Sequence, residues 1–321
     1  MKYLVTGGAG FIGSNLVAEL VNREVKVRVL DNFSTGRREN LLPLLDKIEL
    51  IEGDLTDLET VREAVEGMHF VLHQGALPSI PRSIEHPIGS NNANVSGTLN
   101  LLVASRDAKV KRIVYASSSS VYGDSLELPK TETMNPSPLS PYAVSKLAGE
   151  YYCQVFYKVY HLESVVLRYF NVFGINQYPD SPYSGVIPRF ISLMLDRKSP
   201  VIYGDGLQSR DFTFVSNVVK ANLEVIESNS AVGETINIAS GHAYRLLDLV
   251  AQINSLLGTE IEPIFDSPKI GEVRHSLADT AKAKQVFGYS SEIDFENGLK
   301  RMIHWMKSKK KEEKSAQQIT K

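Results

Sequence analysis

The sequence predicts an α/β protein, with a doubly wound parallel sheet in its first half and a smaller C-terminal lobe. Three observations predict it. Short apolar runs alternate with amphipathic stretches from the first residue, as they do where parallel strands are buried on both faces and helices cross between them. The first run ends in the glycine turn TGGAGFIG, which leads into a helical pattern. Beyond about residue 172 the alternation loosens into segments containing Gly and Pro.

The elements follow in order. YLVTG reads as the first strand and FIGSNLVAELVNR as its crossover helix, after which VKVRVLD, IELIEGD, HFVLHQG and RIVYASS supply further strands of Val, Ile and Leu. Apolar spacing predicts helices from Asn94 to Ala108 and from Tyr142 to Tyr160, and a shorter one from Leu246 to Leu257. Phe212 to Ile226 and the strand-like ETINIAS are expected to return to the main sheet. The expected division is 1–171 for the sheet domain with returns near 212–240, 172–306 for a substrate-binding lobe, and 307–321 for a tail. The tail, KSKKKEEKSAQQITK, lacks apolar periodicity and is expected to be frayed and solvated.

Composition narrows the function classes. Thirty-five Lys and Arg against thirty-seven Asp and Glu give a formal net charge of -2, which lacks the basic footprint of a nucleic-acid binder. The one cysteine, Cys153, excludes an internal disulfide framework and a cysteine-rich metal site, and reads as a packed apolar thiol. The N-terminal apolar run breaks at glycine instead of extending into a signal-peptide core, and no later segment is apolar enough to span a bilayer. A cytoplasmic protein without membrane partners is expected.

In the glycine turn each glycine has a mechanical reason. Gly7 permits the tight turn, Gly10 lets backbone approach a pyrophosphate, and Gly13 lets the helix pack close to the strand. The helix N-terminus then offers free N–H groups and its positive dipole end to phosphates. The second strand ends at Asp31, near the offset of a ribose-binding carboxylate, which accepts hydrogen bonds from both ribose hydroxyls and repels the extra phosphate of NADP. A Rossmann domain binding NAD is the reading, with Arg37 and Arg38 as nearby cations capable of holding a phosphate. Asp54, after the third strand, is either a partner for the adenine amino group or a helix cap.

Tyr142 and Lys146, in SPYAVSK, lie one helical turn apart and share a face. An ammonium near a phenol stabilises the phenolate, lowering a pKa normally about 10 toward neutrality and producing a general base. Such pairs also arise on ordinary exposed helices. RIVYASSSSVYG adds four hydroxyls, Ser117 to Ser120, at the C-terminal end of a parallel strand, where open α/β sheets bind ligands. Serines are equally common in turns.

Together TGGAGFIG, DNFSTG, GDLTD, YASSSSVYG, YAVSK and RYFNVFG resemble the extended short-chain dehydrogenase/reductases, most closely the UDP-hexose and UDP-N-acetylhexosamine 4-epimerases, from Lys2 to about Trp305. The resemblance implies Tyr142 as base, Lys146 on the nicotinamide ribose, and Ser118 as hydroxyl partner. It implies NAD contacts at Phe11, Ile12, Asn32, Ser34, Thr35, Gly36, Leu55, Ser117 and Tyr169, and at the Gln74-Gly75-Ala76 loop, where Gly75 replaces an alanine. It also implies a homodimer built from the two long helices.

In the resembling enzymes the phenolate takes the sugar 4-hydroxyl proton while C4 passes hydride to NAD, and the 4-keto sugar turns over and is reduced on its other face. Related dehydratases need a carboxylic acid beside the serine run, and residues 117–121 read Ser-Ser-Ser-Ser-Val. The family positions for the diphosphate match Arg210 and Arg274, each otherwise a surface salt bridge, since Arg suits bidentate phosphate recognition. Substrate contacts are implied at Ser79, Asn171 and Tyr203, with Val186 lining the uracil pocket. Ser276 stands where a small side chain leaves room for an N-acetyl group, so UDP-GlcNAc and UDP-GalNAc are the expected substrates, with UDP-Glc and UDP-Gal alongside. The competing readings are a UDP-glucuronate 4-epimerase or decarboxylase, and a non-catalytic dinucleotide sensor. No metal is implied.

Overall fold

The computed structural model describes residues 1–180, 184–268 and 273–319. Seven parallel strands form the central sheet: β1 (Lys2–Thr6), β2 (Lys26–Asp31), β3 (Ile48–Glu52), β4 (Phe70–His73), β5 (Arg112–Ser118), β6 (Glu163–Tyr169) and β7 (Thr235–Ile238). Their spatial order is β7-β6-β5-β4-β1-β2-β3. The order reverses between β1 and β4, so a crevice opens at their C-terminal ends, as doubly wound sheets provide.

Alternation along each strand builds two core layers. Tyr3, Val5, Phe70, Leu72 and Val114 face one buried cluster, which α1 (Phe11–Asn22) joins through Leu16, Val17 and Leu20. Leu4, Val71, Ile113 and Tyr115 face the other, covered by Val61, Ala64 and Val65 of α2 (Leu58–Val65) and by Leu101 and Leu102 of α3 (Gly97–Asp107). Each Val, Leu, Ile and Phe among these stabilises the fold by about 1.5–3 kcal/mol on burial.

The long helix α4 (Pro141–Tyr160) starts where Ser140 caps it, its Oγ accepting from the Ala143 N–H at 3.2 Å, with Pro141 in the first turn. It stops at His161, which takes a left-handed conformation. The helix expected from Asn94 begins as α3 at Gly97, because Asn92–Ser96 winds as a π-helical turn.

Two further expectations are corrected. Only β7 returns to the main sheet. The stretch expected to return from Phe212 instead pairs Thr213–Phe214 with Val172–Phe173 in a separate small sheet, then forms α6 (Val215–Val225), which packs on α1 after α5 (Val186–Leu195). The apolar spacing of VSNVVKANLEV favours a helix over a strand. The charged tail is helical as well: beyond α7 (Leu246–Leu257), α8 runs Phe295–Ile319, and Thr320 and Lys321 lie outside the described residues. Lys, Glu, Gln and Ala are strong helix formers. Lys310 also pairs with Asp196 at 2.8 Å and donates to the Ser192 carbonyl, tying the tail to α5 and its C-terminal end.

Candidate active site

At the switch point lies a cavity of about 650 Å³. Its floor is the glycine turn. Gly7 has φ +66°, and a Cβ there would sit 2.8 Å from Gly75 Cα. A Cβ at Gly13 would sit 2.1 Å from the Gly7 carbonyl oxygen, so any side chain would drive α1 off β1. No side chain caps α1, leaving its first amides directed at the cavity end of the helix. This cradle and cavity fit a dinucleotide. Gly75, the departure at this loop, faces Leu55 Cδ1 at 2.8 Å and Thr6 Oγ1 at 3.1 Å from an added Cβ, so an alanine would require Leu55 to shift.

Of the residues expected to hold NAD, Gly7, Gly10, Phe11, Ile12, Gly13, Asp31, Asn32, Ser34, Thr35, Asp54, Leu55, Gln74, Gly75, Ala76, Ser117, Tyr142, Lys146 and Tyr169 line the cavity. Gly36 is not among the lining residues; it packs against Ala9 and the Asp31 carboxylate instead. The Asp31 carboxylate accepts from the Ala9 N–H at 2.9 Å and the Phe33 N–H at 2.8 Å, and burial pushes its pKa up against the pull of those amides. Asp54 is not a helix cap, since Asp57 caps α2. Partial burial raises the Asp54 pKa, but donation from the Thr56 N–H and hydroxyl and from Asn32 outweighs it and leaves the group below its ordinary value.

Tyr142, Lys146 and Ser118 meet where β5 ends against α4. Lys146 is 5% exposed and donates to the Ala116 carbonyl at 2.9 Å, with its Nζ 6.0 Å from the centre of the Tyr142 ring. Burial lowers its pKa to about 8, against the opposing fields of Cys153 and Glu150. Tyr142 departs from the expectation of an acidified phenol. Burial raises its pKa, and the lowering influence is its hydrogen bond with Ser118, not Lys146. The Lys146 ammonium is engaged by the Ala116 carbonyl instead. Ser118 also accepts from the Ser120 N–H at 3.2 Å. The Ser117 hydroxyl is turned away to Glu150, which holds Arg168 through two bonds of 3.0 and 2.7 Å. That buried pair fixes β5, β6 and α4 to one another behind the site.

The expected substrate contacts, Ser118 among them, stand outside the cavity lining. Ser79, Asn171, Val186, Tyr203, Arg210, Arg274 and Ser276 are not among the residues lining it, although Pro78, Ser184 and Gly185 are. Ser79 caps a short helix from the left-handed region, at φ 97°. Arg210, Arg274 and Ser276 are brought together: Arg210 donates to the Arg274 carbonyl at 3.1 Å, and the Ser276 N–H donates to the Ser209 carbonyl at 3.0 Å. Arg274 pairs with Asp205 at 2.7 Å, and Asn171 donates to the Asp211 carbonyl. Val186 opens α5 and Tyr203 ends a short strand.

Sequence reasoning missed Asn40, which ends the short turn after Arg37, and Asn176, Tyr178 and Asp180, which line the cavity from a segment distant in sequence and carry no local pattern. Among the described residues, no group of three or more His, Cys, Asp or Glu is placed to hold a metal, and no helix is long and apolar enough to cross a membrane.

The comparisons with known proteins agree with this arrangement. Residues 3–239 match the model of the NAD dependent epimerase/dehydratase family. A putative UDP-glucose 4-epimerase from Methanocaldococcus jannaschii is 39% identical over 95% of this chain and 98% of its own length. The structure of a UDP-N-acetylglucosamine 4-epimerase from Methanobrevibacter ruminantium, in complex with UDP-N-acetylmuramic acid, superposes with a TM-score of 0.92 at 38% identity, covering 96% of this chain and 98% of that one. A UDP-glucuronic acid 4-epimerase from Bacillus cereus, solved with UDP-glucuronic acid and NAD, gives 0.89 at 32% identity, covering 96% and 99%.

Proposed function

The chain belongs to the NAD-dependent epimerase/dehydratase family, and from that premise we propose that it interconverts UDP-GlcNAc and UDP-GalNAc, and alongside them UDP-Glc and UDP-Gal, by epimerisation at C4. It is an NAD-dependent UDP-sugar 4-epimerase, an isomerase. The observation that carries the epimerase chemistry is the convergence of Ser118, Tyr142 and Lys146 at the end of β5, beside a cavity floored by the glycine turn, and the choice of N-acetylated sugars rests on the small side chain at Ser276.

NAD, when bound, supplies the hydride acceptor and donor for C4 and a positive charge beside the phenol. Tyr142 takes the proton from the sugar 4-hydroxyl and returns it after the sugar has presented its other face. Ser118 steadies the phenol through their hydrogen bond. Lys146, which donates to the Ala116 carbonyl, would hold the ribose of the dinucleotide and keeps a cation in the site below its pKa of about 8. The dinucleotide would be held mainly by the 1–171 part, with Asn176, Tyr178 and Asp180 completing its cavity, and the UDP-sugar would lie between that part and the 172–306 lobe, with Arg210 and Arg274 on the diphosphate and Ser276 leaving space at the N-acetyl group. A homodimer is supported by a stripe on α4, where Val144, Tyr151, Val155 and Val159 stand exposed one or two turns apart. The site resides in the cytoplasm on this reading.

The test is incubation of the purified protein with each UDP-sugar, without added cofactor, followed by separation of the products. Conversion of UDP-GlcNAc to UDP-GalNAc supports the proposal. Turnover of UDP-glucuronate alone, the sugar nucleotide bound in the Bacillus cereus structure, favours the second reading. Retained dinucleotide without turnover of any UDP-sugar favours a sensor.

A further inference from the structure

We infer that the choice of NAD over NADP is made by two exposed ion pairs within the chain as well as by Asp31: Arg37 with Asp180, and Arg38 with Glu52. The inference rests on the dinucleotide site described above. Both arginines belong to the loop that follows Asp31. A Cβ on Gly36 would lie 2.9 Å from Asp31 Oδ1, and the Arg37 N–H donates to the Ala9 carbonyl at 3.0 Å while the Ala9 N–H holds Asp31. Arg37 and Asp180 both line the cavity.

A free guanidinium in such a loop is the group that recognises a phosphate monoester, through paired N–H donors. Neither guanidinium here is free. Arg37 donates to Asp180 and lies 3.9 Å over the centre of the Tyr178 ring. That ring packs edge-on against Trp305 at 5.1 Å, and its hydroxyl donates to Asn40 at 3.3 Å, so the cation is fixed from below and from the side. Arg38 donates to Glu52, the register partner of Asp31 on the neighbouring strand, and covers the Phe33 ring at 4.0 Å.

A ribose 2′-phosphate arriving in the cavity would stand near Asp31 and Asp180 and would have to displace a carboxylate to reach either arginine, Arg37 on the cavity lining or Arg38 next to it in the chain. A 2′-hydroxyl meets no such penalty. Two residues that read in the sequence as a provision for phosphate, Arg37 and Arg38, therefore act to exclude it.

The experiment measures dissociation constants for NAD and for NADP by calorimetric titration of the full-length protein, stripped of bound dinucleotide. An exposed pair is worth up to about fivefold in an equilibrium. Asp180→Asn and Glu52→Gln should each tighten NADP relative to NAD by about that factor, and the double variant by about 25-fold. Adding Arg37→Met to Asp180→Asn should return the ratio to the wild-type value. An unchanged ratio overturns the inference, as does equal weakening of both dinucleotides, which would make the Arg37 bridge a closure and not a selector. A gain that survives Arg37→Met also overturns it, because the arginine would then have no part. Failure of the wild type to bind NAD would sink the cofactor reading and this inference with it.

Discussion

Replacing Lys146 with Met should remove a pH dependence from the stability of the whole molecule. Lys146 is buried and its pKa falls to about 8 from the 10.5 of a free lysine, chiefly through loss of hydration. Between those values the unfolded chain holds a proton on this residue that the folded chain has released, so stability rises with pH across the window and the full penalty stands below about pH 8. A shift of this size corresponds to about 3 kcal/mol, most of which is recovered between pH 7 and pH 10. For a chain of this length that is a melting-temperature difference of about 4 °C. The assay is thermal unfolding of wild type and Lys146→Met, both stripped of dinucleotide, at half-unit steps from pH 7 to pH 10. Groups common to both proteins cancel in the difference. The wild type should gain on the variant as pH rises, and two parallel curves would refute the reasoning, since they would mean that Lys146 is as well solvated folded as unfolded.

Tyr142→Phe should lower turnover of UDP-sugars by roughly 10²–10⁴-fold, the usual worth of a general base, with NAD still bound when measured by titration. Arg168→Met leaves Glu150 as an uncompensated buried charge and should cost about 3–5 kcal/mol, read as a fall in melting temperature that Glu150→Gln in the same chain partly reverses. Ser276→Tyr should abolish turnover of UDP-GlcNAc while sparing UDP-Glc, as followed by product separation; equal loss on both would count against the steric account.

The parts of the site legible in the sequence are those fixed by spacing within one element. Gly7, Gly10 and Gly13 declare a strand-turn-helix because the close packing there leaves no room for a side chain: a Cβ added at Gly13 would sit 2.1 Å from the Gly7 carbonyl oxygen. Tyr142 and Lys146 share a helix face by arithmetic alone. What could not be read depends on which distant element arrives opposite. The partners of Arg37 come from Asp180 and Tyr178, and the raised pKa of Tyr142 comes from the depth of burial, which no local pattern encodes. His73 is a further case. It looks like an ordinary residue after an apolar run, yet it is held between Thr6 and Thr98 and its pKa drops to about 3, by burial first and then by the Lys146 charge. The tail misled for the opposite reason. Its lack of apolar periodicity argues against a buried face, but the tail continues a helix whose first turns bury Phe295, Leu299, Met302, Ile303 and Met306, and residues such as Lys, Glu and Gln extend that packed nucleus.

The outer partner of β6 is β7, which the ribosome delivers only after the whole stretch from Tyr169 to Thr235. At synthesis rates of about 5–20 residues per second that interval lasts on the order of 3–13 s. For those seconds a nascent chain carries a hydrophobic strand with one row of amides and carbonyls unpaired, a template on which a neighbouring chain can build. A polysome crowded with such chains, or a message broken in that interval, would yield sticky fragments, whereas the finished molecule hides the same edge.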